Sequence, residues 1–170
     1  TSGYSLFMNS AGYANLVLGG RLADANQSSV PIYTGVGSTW HHLAATCTNT
    51  DRWTLYVDGR PVNRFQVTAN APSANTLIGG TGTQFFNGLL ADARVYSRAL
   101  NEAEINELAQ SASEAETGPS LNKAATGLLS HYTFTNAAAG TAVFDSGALQ
   151  LLMNPLSAPA VLTTLDKDGD

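Results

Sequence analysis

The strongest constraint on the fold of this chain is a fixed order of four strand-like blocks. The last block ends in a short capped helix. The blocks are Trp40–Thr46, Leu55–Gly59, Leu77–Gly80 and the run Phe86–Leu108. Along positions 89–96 of the last block, the odd positions are all apolar, whereas the even positions include Asp, Arg and Tyr. A period of two places these sets on opposite faces of a half-buried strand, as in a sandwich.

The first turn of the helix is predicted by two local motifs. Asn101 and Glu104 have the spacing of a capping box, in which each side chain bonds to the backbone N–H of the other residue. Leu100 and Ile105 are placed as a hydrophobic staple, and Ile105 shares a helix face with Leu108. The sequence therefore predicts a helix of about two to three turns after the last strand.

The order of these motifs resembles the C-terminal part of a laminin-G-like domain, the concanavalin A-like jelly roll of many extracellular bacterial proteins. The resemblance covers residues 4–110. A shorter resemblance, to the opening strands of another such domain, covers Gly127–Phe134 and Val143–Gly147. Together they imply an all-β fold, an antiparallel jelly-roll β-sandwich with one short C-terminal helix, in a secreted or cell-surface protein.

This order predicts four consecutive regions. Residues 1–110 are expected to form a laminin-G-like sandwich without its usual first strands, and 111–126 a linker. Residues 127–165 are expected to open a second unit or complete a sandwich, and 166–170 to be an acidic tail. Three interpretations remain open: a fragment of tandem domains, a permuted sandwich within one chain, or unpaired edges completed by a neighbouring chain.

The composition excludes several partners. The net charge is −5, and only eight residues are Lys or Arg, without a basic cluster. Nucleic acid and anionic membranes are therefore poor partners. No apolar run approaches the roughly 20 residues of a membrane span, so no membrane insertion is expected. The single Cys47 has no second cysteine with which to form a disulfide within the chain and is expected in the core.

The distribution of carboxylates predicts that the protein is not an enzyme. Glycosidases generally need two carboxyl groups about 5 to 10 Å apart. All five Glu residues lie in the predicted helix or linker, and Asp92 is the one acidic residue inside a predicted strand. Its neighbour on the same face is Arg94, which favours an ion pair or a metal ligand over an acid/base pair.

Structural Ca²⁺ is the one cofactor that we expect. The resemblance implies a calcium site at which Asp92 matches the position in the last strand and Asp145 the turn after the first strand. Independently, Asp166, Asp168 and Asp170 have the spacing that opens an EF-hand-like calcium loop. The alternatives left open are an Asp92–Arg94 ion pair, an Asx-turn at Asp145 and a solvated acidic tail.

Aromatic residues are the candidate ligand-binding groups, because an aromatic face stacks on a sugar ring. Trp53, Tyr56 and Phe85 are the candidates, with one of Trp53 and Tyr56 expected to be exposed, whereas Trp40 is expected in the core. We expect a non-catalytic adhesion or carbohydrate-recognition module whose partner is a glycan or a surface protein. The alternative is a structural subunit of a filament or surface layer, whose strands complete other copies of itself.

Overall fold

The computed structural model describes residues 4–18, 28, 31, 40–49, 51–68, 77–80, 86, 90–111, 126–132, 143–144 and 152–153. They form two compact units, one from Thr1–Asn75 with Arg98–Ala124 and the other from Thr76–Ser97 with Ala125–Asp170. Within these ranges, the elements are β1 (Tyr4–Met8), β2 (Ala14–Leu18), β3 (Leu43–Thr48), β4 (Arg52–Val57), β5 (Arg60–Gln66), β6 (Ala93–Tyr96), α1 (Glu102–Ser111), β7 (Leu128–Tyr132), β8 (Val143–Phe144) and β9 (Leu152–Met153).

The first unit contains two antiparallel sheets, the β1–β2 hairpin and the three-stranded sheet β3–β4–β5. Alternate side chains of β2 and β4 form its two core clusters, as the period of two requires. Phe65 of β5 packs against both clusters. The β1–β2 hairpin and the β3–β4–β5 sheet thus pack face to face, as in a sandwich. The two clusters consist of Ala14, Leu16, Leu18, Trp53, Leu55 and Val57.

The turn between β4 and β5 fits closely against helix α1. Asp58 and Gly59 have φ values of 50° and 77°, the pair of positive angles that a two-residue hairpin turn of type I′ requires. A Cβ atom at Gly59 would lie 2.9 Å from the Cα atom of Asn106 in the helix. Glycine is therefore needed here both for its backbone conformation and for the close approach of the helix.

Helix α1 begins as its capping residues predict. The Asn101 backbone N–H donates to Glu104 Oε2 at 2.8 Å, and the Glu104 N–H donates to Asn101 Oδ1 at 2.9 Å. Ile105 and Leu108 are both buried. The helix spans ten residues, or about three turns, so its start, its length and its apolar face agree with the prediction.

The second unit contains the antiparallel pair β6–β7 and the short hairpin β8–β9. Residues 127–165 were expected either to open a second unit or to complete a sandwich, and β7 pairs with β6, a strand of the predicted first region. The two compact units are interleaved along the chain. The predicted regions 1–110, 111–126, 127–165 and 166–170 stay a prediction. Strand β6 is also shorter than its pattern indicates, because Asp92 has a φ of 56°, which an extended strand does not adopt.

Candidate functional site

A groove of about 490 Å³, lined by five polar and two aromatic residues, lies on the β3–β4–β5 sheet of the first unit. Core residues Trp53, Leu55 and Val57 alternate along β4 with residues 52, 54 and 56, so the even positions face away from the core. The groove follows this outer face near the β3–β4 turn. Its polar lining consists of Thr48, Arg52, Thr54, Arg64 and Gln66.

Strand register brings these five side chains together. Thr48 pairs with Arg52, which pairs on its other side with Gln66. In the next row on the same face, Thr54 pairs with Arg64. Directly opposed side chains on one face of a sheet are close neighbours. The groove is therefore a continuous surface of two hydroxyls, two guanidinium groups and one amide, carried by three hydrogen-bonded strands.

Acidic neighbours orient two of the groove side chains. The Gln66 amide Nε2 donates to Asp51 Oδ2 at 2.6 Å. An Arg64 N–H donates to Glu102 Oε1, at the start of helix α1. Each interaction uses part of the side chain's hydrogen-bonding capacity, since a guanidinium group has five N–H donors and an amide has both donors and an acceptor. The groove is thus partly preorganised, and the carboxylates of Asp51 and Glu102 lie beside Gln66 and Arg64.

The predicted aromatic binding residues do not form an exposed platform. Trp53 is only 9% exposed and donates its Nε1–H to the Val67 carbonyl at 3.0 Å, and Tyr56 is 3% exposed. Trp53 does line the groove, but its ring belongs to the core. The expectation that one of these two rings is exposed was wrong, and Phe85 lies outside the described residues.

The prediction for Trp40 was wrong in the opposite sense. It was expected in the core but is 60% exposed. It lies three residues before β3 and therefore outside the strand pairing that buries the alternate positions of β4. Nothing in the alternation of its neighbours signals this exposure.

Asp92 lies in a cluster of charged side chains in the second unit. Its Oδ1 accepts hydrogen bonds from Arg94 Nε and from His131 Nε2, each at 2.7 Å, and its Oδ2 accepts one from Arg94 Nη2 at 2.8 Å. Burial alone would raise the pKa of Asp92. The hydrogen bond from His131, together with the charge and hydrogen bonds of Arg94, outweighs it and holds the pKa below its ordinary value.

This cluster contains the Asp92–Arg94 ion pair, which was the alternative to a calcium ligand at Asp92. Among the described residues, no group of three or more His, Cys, Asp or Glu side chains is arranged to hold a metal ion. Calcium at Asp92 would compete with Arg94 and His131 for the carboxylate oxygens. The other predicted calcium ligands, Asp145, Asp166, Asp168 and Asp170, lie outside the described residues, and the calcium site stays a prediction.

His41 also has a structural partner. Its Nδ1 lies 2.9 Å from Asp58 Oδ2, while the other carboxylate oxygen of Asp58 accepts the His42 backbone N–H at 2.9 Å. The Asp58 N–H in turn donates to the His42 carbonyl at 2.8 Å. These bonds hold the β4–β5 turn beside the chain that enters β3.

Comparisons with known proteins match the larger part of the chain. A laminin G family model described as the "Concanavalin A-like lectin/glucanases superfamily" matches residues 1–106. A crystal structure of an S-layer domain-containing protein (residues 221–444) from Clostridium thermocellum is 22% identical, with a TM-score of 0.40. The alignment covers 64% of each chain. No curated protein matches, and no helix among the described residues is long and apolar enough to cross a membrane.

Proposed function

The chain belongs to the concanavalin A-like lectin/glucanase superfamily, and from that premise we propose that it is a non-catalytic carbohydrate-recognition module of a secreted or cell-surface protein. The predicted family is confirmed by the match, and the all-β sandwich by the match together with the antiparallel sheets. The proposal is carried by one observation, the polar groove on the outer face of β3–β4–β5.

The chemistry of the groove suits a ligand rich in hydroxyl groups. Sugar hydroxyls both donate and accept hydrogen bonds. Threonine hydroxyls and the Gln66 amide do the same, whereas the guanidinium groups of Arg52 and Arg64 only donate. Because Asp51 and Glu102 lie beside Gln66 and Arg64, the groove has no large excess of positive charge, which favours a neutral saccharide over a strongly anionic one.

Size and surroundings also support a small, weakly bound ligand. The groove volume lies within the range of about 300–1,000 Å³ for small-molecule sites. Of the two aromatic residues that line the groove, Trp53 is buried and Phe65 is half-buried against the core, so we expect hydrogen bonds to provide most of the affinity. We therefore expect dissociation constants on the order of 1 mM for a short saccharide.

Two matched arginine variants test the proposal. Arg52 lines the groove and makes no ion pair within the described ranges, whereas Arg60 is exposed on the same β4–β5 hairpin outside the groove. A neutral oligosaccharide selected from a glycan array is titrated into labelled protein and followed by NMR. Arg52→Ala should weaken binding about tenfold or more, because a hydrogen bond from a charged group contributes about 1.5–3 kcal/mol, and Arg60→Ala should bind as the wild type does.

Both variants remove one positive charge, so a general electrostatic effect would weaken binding equally in the two. Equal losses would therefore contradict a specific role for the groove. An array without a ligand at millimolar concentration, with and without calcium, would defeat carbohydrate recognition altogether.

A second candidate function rests on exposed apolar residues of β1 in the first unit, a strand that pairs only with β2 among the described residues. Tyr4 and Leu6 of β1 are in register with the buried Leu18 and Leu16, yet they are 57% and 37% exposed. Exposed apolar residues on an edge strand favour pairing with another chain, as expected of a structural subunit in a filament or surface layer. Leu6→Lys should then reduce the assembly measured by light scattering, whereas Ser5→Lys, on the opposite face of β1, should not.

A further inference from the structure

We infer that Asp51 is a positioning residue that sets the specificity of the groove. It holds the Gln66 amide in one orientation, so that the amide oxygen is presented to a ligand as a hydrogen-bond acceptor at a fixed place. The inference rests on the proposed carbohydrate function and deepens it, because it names what the ligand must offer at this point, a hydrogen-bond donor.

The backbone brings Asp51 and Gln66 together. The N–H of Val67, the residue after Gln66, donates to the Asp51 carbonyl at 2.8 Å. Arg52, the residue after Asp51, pairs with Gln66 in the β4–β5 ladder. The buried Trp53 also donates its indole N–H to the Val67 carbonyl at 3.0 Å. The place of the Asp51 carboxylate relative to Gln66 is therefore determined by the sheet.

The chemistry of the side-chain bond determines which way the amide is turned. Gln66 Nε2 lies 2.6 Å from Asp51 Oδ2, and an ionised carboxylate only accepts hydrogen bonds. Turning the amide over would place its oxygen against the carboxylate oxygen, two acceptors with no proton between them. The amide oxygen is therefore directed away from Asp51. Beside a group that both donates and accepts, either orientation of the amide would be satisfied.

Gln66 thus supplies a fixed acceptor next to a fixed donor. Arg52 lies directly across from Gln66 and only donates, whereas the hydroxyls of Thr48 and Thr54 rotate and do either. Sugar hydroxyls in this row suit both residues, because a hydroxyl accepts from Arg52 and donates to Gln66. A carboxylate, sulfate or methoxy oxygen only accepts, and it would leave the Gln66 oxygen without a donor. The groove should therefore select a free hydroxyl in this row.

O-methylated ligands test this selection. The probe is the oligosaccharide selected from the array, together with its mono-O-methyl derivatives, in which one hydroxyl loses its proton and keeps its oxygen. Methylation of the hydroxyl that meets Gln66 should weaken binding to the wild type about three- to tenfold in the NMR titration, as expected for one hydrogen bond. In Asp51→Asn the amide can turn and donate to the methoxy oxygen, so the ratio of the two dissociation constants should fall below about twofold. Exclusion of the methyl group by its size alone would give the same ratio in both proteins.

Two control variants show whether Asp51 acts through Gln66. Glu102→Gln removes the same charge beside Arg64 and leaves the Gln66–Asp51 bond in place, so it should keep the wild-type ratio. Gln66→Met keeps a side chain of similar length without the amide. In that background the ratio should already be low, and Asp51→Asn should not change it further.

A measurement without ligand tests the orientation itself. The side-chain amide protons of Gln66 should shift in the NMR spectrum when acid protonates Asp51, and Asp51→Asn should lose that shift. Amide protons that do not respond to Asp51 would overturn the inference before any ligand is added.

The outcomes separate this inference from the proposed function. If the saccharide binds but no O-methyl derivative is discriminated, or if Asp51→Asn leaves the ratio unchanged, the inference is overturned while carbohydrate recognition stands. A reduction of the ratio by Glu102→Gln as large as that by Asp51→Asn would also overturn it, since charge and not the amide would then be responsible. A wild-type protein that binds no saccharide would defeat the proposed function and this inference together.

Discussion

Glu104 connects two stabilising interactions at the start of helix α1, and its removal should cost more than the removal of any other carboxylate in the helix. It completes the capping box with Asn101. It also binds Arg98 through both carboxylate oxygens, at 2.7 and 2.9 Å. Glu102, two residues earlier, makes an exposed pair with Arg64 and takes no part in the capping box.

The size of the effect follows from the pKa of Glu104. Hydrogen bonds from Arg98 and then from the Asn101 backbone, with a smaller contribution from the charge of Arg98, lower the pKa from 4.5 to about 2, against a partial opposing effect of burial. At about 1.4 kcal/mol per pKa unit, this difference corresponds to about 3 kcal/mol. Arg98 and Glu104 are 32% and 16% exposed, so water screens the pair. We therefore expect about 1–2 kcal/mol from the ionised carboxylate.

The pH dependence has a definite sign. Because the pKa of Glu104 is lower in the folded state than in the unfolded state, its contribution is complete above about pH 4.5 and is lost as the pH falls towards 2. The advantage of the wild type over Glu104→Gln should therefore fall by more than half by about pH 3. Glutamine retains a group that caps the Asn101 N–H, so this variant removes the charge and little else.

Urea unfolding followed by the fluorescence of buried Trp53 measures this effect. At pH 7, Glu104→Gln should lower the free energy of unfolding by about 1–2 kcal/mol, and Glu102→Gln by less than about 0.5 kcal/mol. Comparing each variant with the wild type at the same pH cancels the titration of the other carboxylates. Equal losses for the two variants, or a difference at pH 3 as large as that at pH 7, would refute the reasoning.

Three further predictions concern the core, the β4–β5 turn and the Asp92 cluster. Leu55→Ala, in the fully buried centre of β4, should lower the free energy of unfolding by about 2–5 kcal/mol, and the exposed Leu6→Ala by less than about 1 kcal/mol in the same urea titration. Gly59→Ala should lower the melting temperature measured by circular dichroism, because a positive φ costs about 1–2 kcal/mol and the added methyl group would contact the Asn106 backbone; an unchanged value would contradict that contact. The lowered pKa of Asp92 implies that Asp92→Asn destabilises the protein above about pH 4, with the difference disappearing on acidification. The same melting curves with calcium or with EGTA locate the predicted ion, because a calcium-dependent rise that survives Asp92→Asn places it elsewhere.

Local motifs were predictable from the sequence because each is determined by residues close together in the chain. Asn101 and Glu104 are three residues apart, and the geometry of a helix start brings them together wherever the helix lies. Asp58–Gly59 likewise determines its own turn. The partner of β7 was not predictable in this way. Strand pairing depends on which edge is open in three dimensions, and the separation of β6 and β7 along the chain carries no information about it.

The exposure of the groove residues was likewise not predictable from the sequence pattern. Alternation along β4 indicates that Tyr56 and Arg52 share the face opposite the core, but it does not indicate how much of that face is covered. In the structure, Tyr56 is buried, while Arg52, four residues away on the same face, is exposed beside the groove. The groove therefore occupies the part of the outer face that remains open, and its polar Thr, Arg and Gln side chains lie on the part of the sheet that meets water. An aromatic residue in the row of Arg52 would be exposed to a ligand, whereas Tyr56 is part of the interior. We therefore expect ligand contacts at the polar rows nearest the β3–β4 turn.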